Sequence, residues 1–374
     1  MSRRTILHTE ASNGWGGQEI RILLEMDGMR KRGHRVLLAT PRDGRIFDEA
    51  VQRGIPVEAV AMRRSRWVGA CLAIRRLIRR EGVTVINTHS SADSWIGAIA
   101  RYTSGSRPLL VRTRHLSTPI SGRFTSRLLY DRLPDGIVTT GDAIRSELVN
   151  RHGFRGDRIV SIPTGVDVSR FDPQRVDAGL RAEWSISPAS VVIGTVGVLR
   201  SWKGHAVLLE AAARVIRKRP DAVFVIVGDG PGRSLLDQRI KDLDLDGHVR
   251  MAGHRADVER AFAAFDLVVL ASTGHEGVPQ AILQALAMEK PVIASNVGGI
   301  PEVVRPGETG RLVPPNDPDA LAAALLQHLD APADGLAMAR AGRRLVERDY
   351  SLDRMLDQLE AFYERLSQMR KASR

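Results

Sequence analysis

The sequence predicts an α/β protein of two doubly wound, parallel-sheet domains facing a cleft. Three observations predict it. At 374 residues the chain is longer than a single core usually organises. Short β-branched runs alternate with amphipathic helical stretches, the pattern of a parallel sheet covered by helices. The alternation runs twice, interrupted once by a polar, proline-containing stretch from Ile162-Pro163-Thr164-Gly165 to Asp172-Pro173. The expected domains are therefore 1–175 and 185–345, joined by a linker at about 170–190. A terminal helix, 346–374, is expected to pack back on the first domain.

Thr5-Ile6-Leu7-His8 reads as the first strand, followed by the loop Asn13-Gly14-Trp15-Gly16-Gly17 and a helix over about 18–32 that Gly33 closes. Arg35 to Ala39 completes a βαβ unit. Further strands are expected at 83–87, 109–111 and 136–140. The second series has strands at 191–197, 223–228, 249–251, 267–270 and 291–294, with helices at about 203–218, 231–242 and 279–288. The last segment, about 335–371, carries one apolar stripe through Leu345, Leu352, Leu359 and Leu366. In sheets of this kind ligands bind beyond the carboxyl ends of the strands, which directs attention to the strand-to-helix loops.

Hydrophobic residues make up 43% and charged residues 26%, a globular balance, and no apolar run is long enough to span a bilayer. The N-terminus lacks the apolar segment of a secretory signal, and one cysteine, Cys71, allows no internal disulfide, so a cytoplasmic setting is expected. The net charge of +12 is uneven. Residues 1–180 hold 30 Lys/Arg against 18 Asp/Glu, which places the whole excess in the first half. It clusters in Arg63-Arg64-Ser65-Arg66 and Arg75-Arg76-Leu77-Ile78-Arg79-Arg80, with Arg112, Arg114, Arg123, Arg127 and Arg132 adding to it. Such a field attracts polyanions. Nucleic acid is not the expected partner, because aromatics are only 5% and no binding module is recognisable. The stretch 66–80 reads either as an amphipathic helix on a membrane surface or as a helix whose apolar stripe packs on the sheet.

Three loops carry chemistry. Gly197-Val198-Leu199-Arg200-Ser201-Trp202-Lys203-Gly204 joins a strand to a helix, where free N–H groups and two cations suit a phosphate or diphosphate. Alone it also reads as an exposed basic helix start. Gly228-Asp229-Gly230-Pro231-Gly232 is a second tight strand-to-helix turn. Glu276 precedes Gly277, Val278 and Pro279, with Pro279 suited to the first helical position and Gln280 behind it. A carboxylate beside an anion site is suited to accepting hydrogen bonds from hydroxyls, as on a sugar, and Gln284 on the following helix can donate and accept.

With these residues in order, the chain resembles family 4 glycosyltransferases of the GT-B fold, two Rossmann-like domains. The likeness covers nearly the whole chain: the glycine loop after strand one, T-R-H at 113–115, I-P-x-G-V-D, G-x-L-x-x-x-K-G, V-G-D-G-P, E-G-x-P and V-G-G-I-P-E. The resemblance implies that Arg200 and Lys203, with Gly197, Gly228 and Gly230, hold the donor diphosphate. It implies that Glu276 and the backbone of Gly277, Val278, Pro279 and Gln280 meet the transferred sugar. Gly16 and Gly17 would border phosphates and acceptor, and His115 would approach the sugar. The second Glu of the family's Glu-x7-Glu motif is Gln284 here, so the ribose contact lacks charge assistance.

The activity implied is a retaining transfer from a nucleotide-diphosphate sugar to an anionic or lipid-linked glycan, as in lipopolysaccharide-type envelope biosynthesis. No metal and no cofactor beyond the nucleotide-sugar co-substrate is implied, and no D-x-D motif sits at a strand end. The basic first domain suggests peripheral association with the inner face of the cytoplasmic membrane. A nucleotide-sugar epimerase of the same fold is the alternative, although no acid/base pair for it stands in the matched frame.

Overall fold

The computed structural model describes residues 3–120, 124–177 and 179–372, so Arg123 lies outside the described residues. The aliphatic runs form two all-parallel sheets. The first contains β1 (Thr5–Thr9), β2 (Arg35–Thr40), β3 (Val57–Ala59), β4 (Val85–Thr88), β5 (Leu109–Arg114), β6 (Gly136–Thr139) and β7 (Ile159–Ser161), in the order β3-β2-β1-β4-β5-β6-β7. The second contains β8 (Val191–Val196), β9 (Ala222–Val227), β10 (Val249–Gly253), β11 (Leu267–Leu270), β12 (Val292–Ser295) and β13 (Arg311–Val313), ordered β10-β9-β8-β11-β12-β13. The strand order reverses between β1 and β4 and again between β8 and β11. Each reversal leaves a crevice at the carboxyl ends of those strands, where the connections leave in opposite directions.

The chain divides into two compact units, one formed by 1–164 with 353–374 and the other by 165–352. The division at Thr164/Gly165 falls within the polar stretch that begins at Ile162, ahead of the linker expected at about 170–190. The reason is a backbone pairing: Val166 N–H donates to the Tyr350 carbonyl (2.9 Å) and Leu352 N–H to the Val166 carbonyl (2.8 Å), which ties the stretch from Gly165 into the second unit. The same pairing interrupts the single terminal helix expected over 335–371. Two helices form instead, Pro332–Asp349 and Leu352–Ala372, with Tyr350 capping the first and Ser351 bridged to Val166 between them.

In the first unit, the helix Gly17–Lys31 buries Ile22, Leu23, Met26 and Met29. Its Gly28 faces Leu356 of the terminal helix so closely that a Cβ there would lie 2.4 Å from the Leu356 side chain. Phe362 and Leu366 pack on Gly136 of β6 in the same way. Arg32 then pairs with Asp357 (2.7 Å) and Glu360 (2.6 Å). Close glycine packing and a charged rim hold the helix to the unit.

The helix Trp67–Glu81 buries Ala70, Ile74, Leu77 and Ile78 with Leu7, Leu37 and Ile86 of the sheet. Its apolar stripe is thus core. Arg64, Arg66, Arg76, Val68 and Leu72 face solvent. Two cations counted toward the basic field do not reach the surface. Arg112 and Arg114 are buried around Tyr130, Arg112 donating to its hydroxyl at 3.1 Å with its guanidinium 4.2 Å above the ring.

Candidate functional site

In the second unit, the chain leaves β8 through Gly197 to Arg200, makes a short 3-10 turn over Ser201–Lys203, and enters the helix His205–Ile216. The helix starts two residues later than the expected 203, because Gly204 turns left-handed with φ +67°. There the loop presses on the segment after β11, and a Cβ on Gly204 would lie 1.8 Å from the Ala271 carbonyl oxygen. Thr273 N–H donates to the Trp202 carbonyl at 2.8 Å. The two loops therefore share a backbone seam at the β8/β11 reversal.

The seam brings two expected residues together. Lys203 Nζ donates to Glu276 Oε1 at 2.7 Å, and Ser272 Oγ donates to the same oxygen at 2.7 Å. Glu276 is buried, whereas the Lys203 side chain keeps 21% of its surface. A buried carboxylate needs such compensation. Lys203 is therefore a structural partner of the acid as well as a cation at the loop. The guanidinium of exposed Arg200 lies 5.1 Å from the Trp202 ring, and His275 meets that ring edge-on at 6.1 Å.

Gly228, with φ +147°, passes so close to the first loop that a Cβ would lie 1.8 Å from the Gly197 carbonyl oxygen. Leu199 N–H donates to the Asp229 carbonyl (3.0 Å), beside Gly230, and Gly232 N–H to the Leu199 carbonyl (2.8 Å). Both glycine turns thus form one wall. Behind the acid, Gly299 N–H donates to the Glu276 carbonyl at 3.2 Å. Gly277 and Val278 are buried in the turn, and the helix is Gln280–Ala287 with Pro279 as its N-cap, one position earlier than expected for the proline. Gln284 stands half-buried on its second turn. Burial, then the neighbouring Lys203, pushes His205 down to about 4.

In the first unit, Gly16 is the extended N-cap of the helix Gly17–Lys31 and accepts from Ile20 N–H at 3.0 Å. His115 follows β5 directly and is buried, its carbonyl accepting from Thr140 Oγ1 at 3.0 Å. Two residues that sequence reasoning passed over stand beside it. His8 of β1 and His89 after β4 continue a row of rings across three adjacent strands, with centroids 5.3 Å and 5.2 Å apart. The rings touch nitrogen to nitrogen and share no common focus, which is a hydrogen-bonded row rather than a ligand set. The available signal was a histidine near the carboxyl end of each of three strand runs.

Asp93 fixes this row from behind, its Oδ2 accepting from His89 N–H (2.7 Å) and Thr9 Oγ1 (3.0 Å). Burial raises the Asp93 carboxyl, and burial followed by Asp93 pushes Glu10 up to about 8. Folded Glu10 therefore holds a proton that the unfolded chain releases near 4.5, so its contribution to stability falls as pH rises from about 4.5 to 8. Glu10→Gln is expected to leave stability almost unchanged at pH 5 and to raise it by about 2–4 kcal/mol at pH 8.5, each tenfold in proton affinity being worth about 1.4 kcal/mol. Urea unfolding at both pH values measures this; an equal difference at the two refutes it.

Two family profiles match the chain, one described as Glycosyltransferase Family 4 over residues 15–170 and one as Glycosyl transferases group 1 over residues 190–331. A D-inositol 3-phosphate glycosyltransferase of Kineococcus radiotolerans is 35% identical over 230 residues, covering 56% of this chain and 53% of the relative, so the match spans about half of that protein. The UDP-Gal:alpha-D-GlcNAc-diphosphoundecaprenol alpha-1,3-galactosyltransferase of Escherichia coli is 27% identical over 304 residues, 78% of each chain. A glycosyltransferase crystal structure from Rickettsia africae superposes with a TM-score of 0.86 at 22% identity, over 98% of this chain and 99% of the other. That last likeness concerns the fold. Two parallel sheets, glycine-rich turns at both strand-order reversals and two adjoining family profiles lead to one conclusion: the chain belongs to glycosyltransferase family 4, with the GT-B fold.

Proposed function

We propose that this protein is a retaining glycosyltransferase that moves a sugar from a nucleotide-diphosphate sugar to an anionic or lipid-linked glycan acceptor of the cell envelope. The observation that carries the reading is the Lys203–Glu276–Ser272 cluster, held by a backbone seam at a strand-order reversal. Arg200 and Lys203 take the diphosphate in this reading, where charge gathers on the leaving phosphate as an oxocarbenium-like sugar separates. Glu276 and the turn Gly277 to Gln280 meet the sugar, with Gly197, Gly228 and Gly230 as the wall and Gln284 as a neutral ribose contact. In the first unit, Gly16 and Gly17 border the acceptor side, and His115 approaches the sugar. The departing phosphate oxygen accepts the acceptor's proton, without a metal ion.

A panel of nucleotide sugars screened by thermal shift identifies the donor, because a true donor stabilises the fold by mass action. Lys203→Ala is expected to weaken that donor's binding about tenfold or more, the scale of one charge-assisted hydrogen bond. Unchanged affinity by calorimetry removes Lys203 from the diphosphate site. The acceptor named for the Escherichia coli relative is a diphosphoundecaprenol-linked sugar, which supports a lipid-linked acceptor here.

Peripheral contact with a membrane uses the exposed side of the helix Trp67–Glu81. Arg64, Arg66 and Arg76 have no acidic partner among the described residues, and Val68 and Leu72 are 77% and 41% exposed between them. No helix among the described residues is long and apolar enough to cross a membrane. Cosedimentation with anionic vesicles is expected at low salt and is lost as salt rises. Absence of binding at low salt removes this surface role.

A further inference from the structure

The histidine row has a direction. His8 Nδ1 lies 3.0 Å from His89 Nε2, and His89 Nδ1 lies 3.0 Å from His115 Nε2. Burial lowers His8 and holds His89 and His115 well below the usual histidine range, so all three rings are neutral near neutral pH. A neutral imidazole carries one N–H, and each contact needs one donor and one acceptor. Only two arrangements satisfy both contacts. Either every ring carries its proton on Nε2, or every ring carries it on Nδ1.

Glu25 breaks the tie. Its Oε1 faces His8 Nε2 at 3.7 Å, with both side chains buried. Tyr363 Oη and Asn87 Nδ2 each donate to that oxygen at 3.2 Å, and Arg21 Nε stands 3.9 Å from the other. The carboxyl oxygen facing His8 therefore acts as an acceptor toward both donors. With the protons on Nε2, His8 presents an N–H to that acceptor oxygen. With the protons on Nδ1, a lone pair faces the lone pairs of a buried acceptor oxygen, which is repulsive at low dielectric.

We propose that Glu25, His8 and His89 are positioning residues that fix His115 in its Nε2–H form, so that His115 Nδ1 is a bare acceptor for a hydroxyl of the transferred sugar. The sugar-facing part rests on the proposed function, whereas the order of the row does not. His115 then discriminates by accepting: a donor whose hydroxyl at that position is missing or methylated leaves Nδ1 without its hydrogen bond. The polarity originates in the helix Gly17–Lys31, two rings from the atom it sets.

The test is 15N-histidine labelling of the full chain with long-range 1H–15N correlation. In the unliganded protein at pH 7, His8, His89 and His115 are expected each to show a protonated-type Nε2 and a bare-type Nδ1 resonance. Glu25→Leu removes the acceptor oxygen, and His8→Phe removes the first link without touching Glu25. In whichever variant remains folded by circular dichroism, the two His115 resonances are expected to move toward each other as both arrangements become populated. His115 protonated on Nδ1 in the parent protein, or His115 resonances unchanged in a folded variant, overturns the proposal. A separate titration uses the nucleotide sugar selected by the thermal-shift panel. An ordered row whose His115 Nδ1 resonance does not move on saturation overturns the sugar contact alone.

Discussion

Glu276→Gln is expected to lower turnover about 10²–10³-fold while leaving the fold intact, the scale seen when one group matched to developing charge is removed. The replacement has the same shape, and its amide oxygen can still accept from Lys203 Nζ and Ser272 Oγ, both of which meet Oε1. Two properties change. The second oxygen becomes an NH2 group, which cannot accept from a sugar hydroxyl, and the negative charge beside Lys203 disappears. The ammonium keeps part of its surface in water, so the cost to stability stays near 1 kcal/mol, as for partly exposed ion pairs. Affinity for the free nucleotide diphosphate is expected to change little. Steady-state kinetics with the identified donor check this, and turnover within about threefold of the parent protein takes Glu276 out of the reaction.

Gly204→Ala is expected, with Gly228→Ala, to be among the most damaging single methyls in the second unit. Its Cβ would fall 1.8 Å from the Ala271 carbonyl oxygen, and both sides of that contact are backbone. The residue also has φ +67°, which costs an L-residue roughly 1–2 kcal/mol before any clash. Adding overpacking of about 1–3 kcal/mol gives a loss on the order of 2–5 kcal/mol. Because the displaced seam carries Lys203 on one side and Ser272 on the other, donor binding is expected to fail even where the variant folds. Gly33→Ala is the matched control, with φ +87° but nothing within 4 Å of its Cβ. Urea denaturation of the two variants separates strain from collision. Equal losses would show that the seam yields.

The fold was legible because its main signals are local. Aliphatic runs such as Val223 to Val227 and Leu267 to Leu270 are buried on both faces and announce themselves in composition. The strands that escaped notice, β3, β7 and β13, are three-residue edge strands, too short for a period to show. The glycine-rich loops of the candidate site stand out in the chain, but their mutual contacts do not. That Lys203 closes on Glu276, 73 positions later, depends on the β8/β11 reversal, which no spacing within either loop encodes. His8 and His89 were missed for the same reason. Each is an isolated histidine until the order β1-β4-β5 lines them up. Arg112 and Arg114 were counted with the surface charge because nothing nearby in sequence marks Tyr130 as their partner.

The pairing of Val166 with Ser351 has a consequence for how the polypeptide can be divided. Residues 165–352 enter and leave their unit side by side, like an insert whose two ends are stitched together, and form one continuous excisable piece. The remaining unit is split, and its residues up to Thr164 await a helix made only after the insert. Residues 165–352 must therefore be made before Glu25 can meet Tyr363, and removing 353–372 strips a partner from the first sheet's own helix.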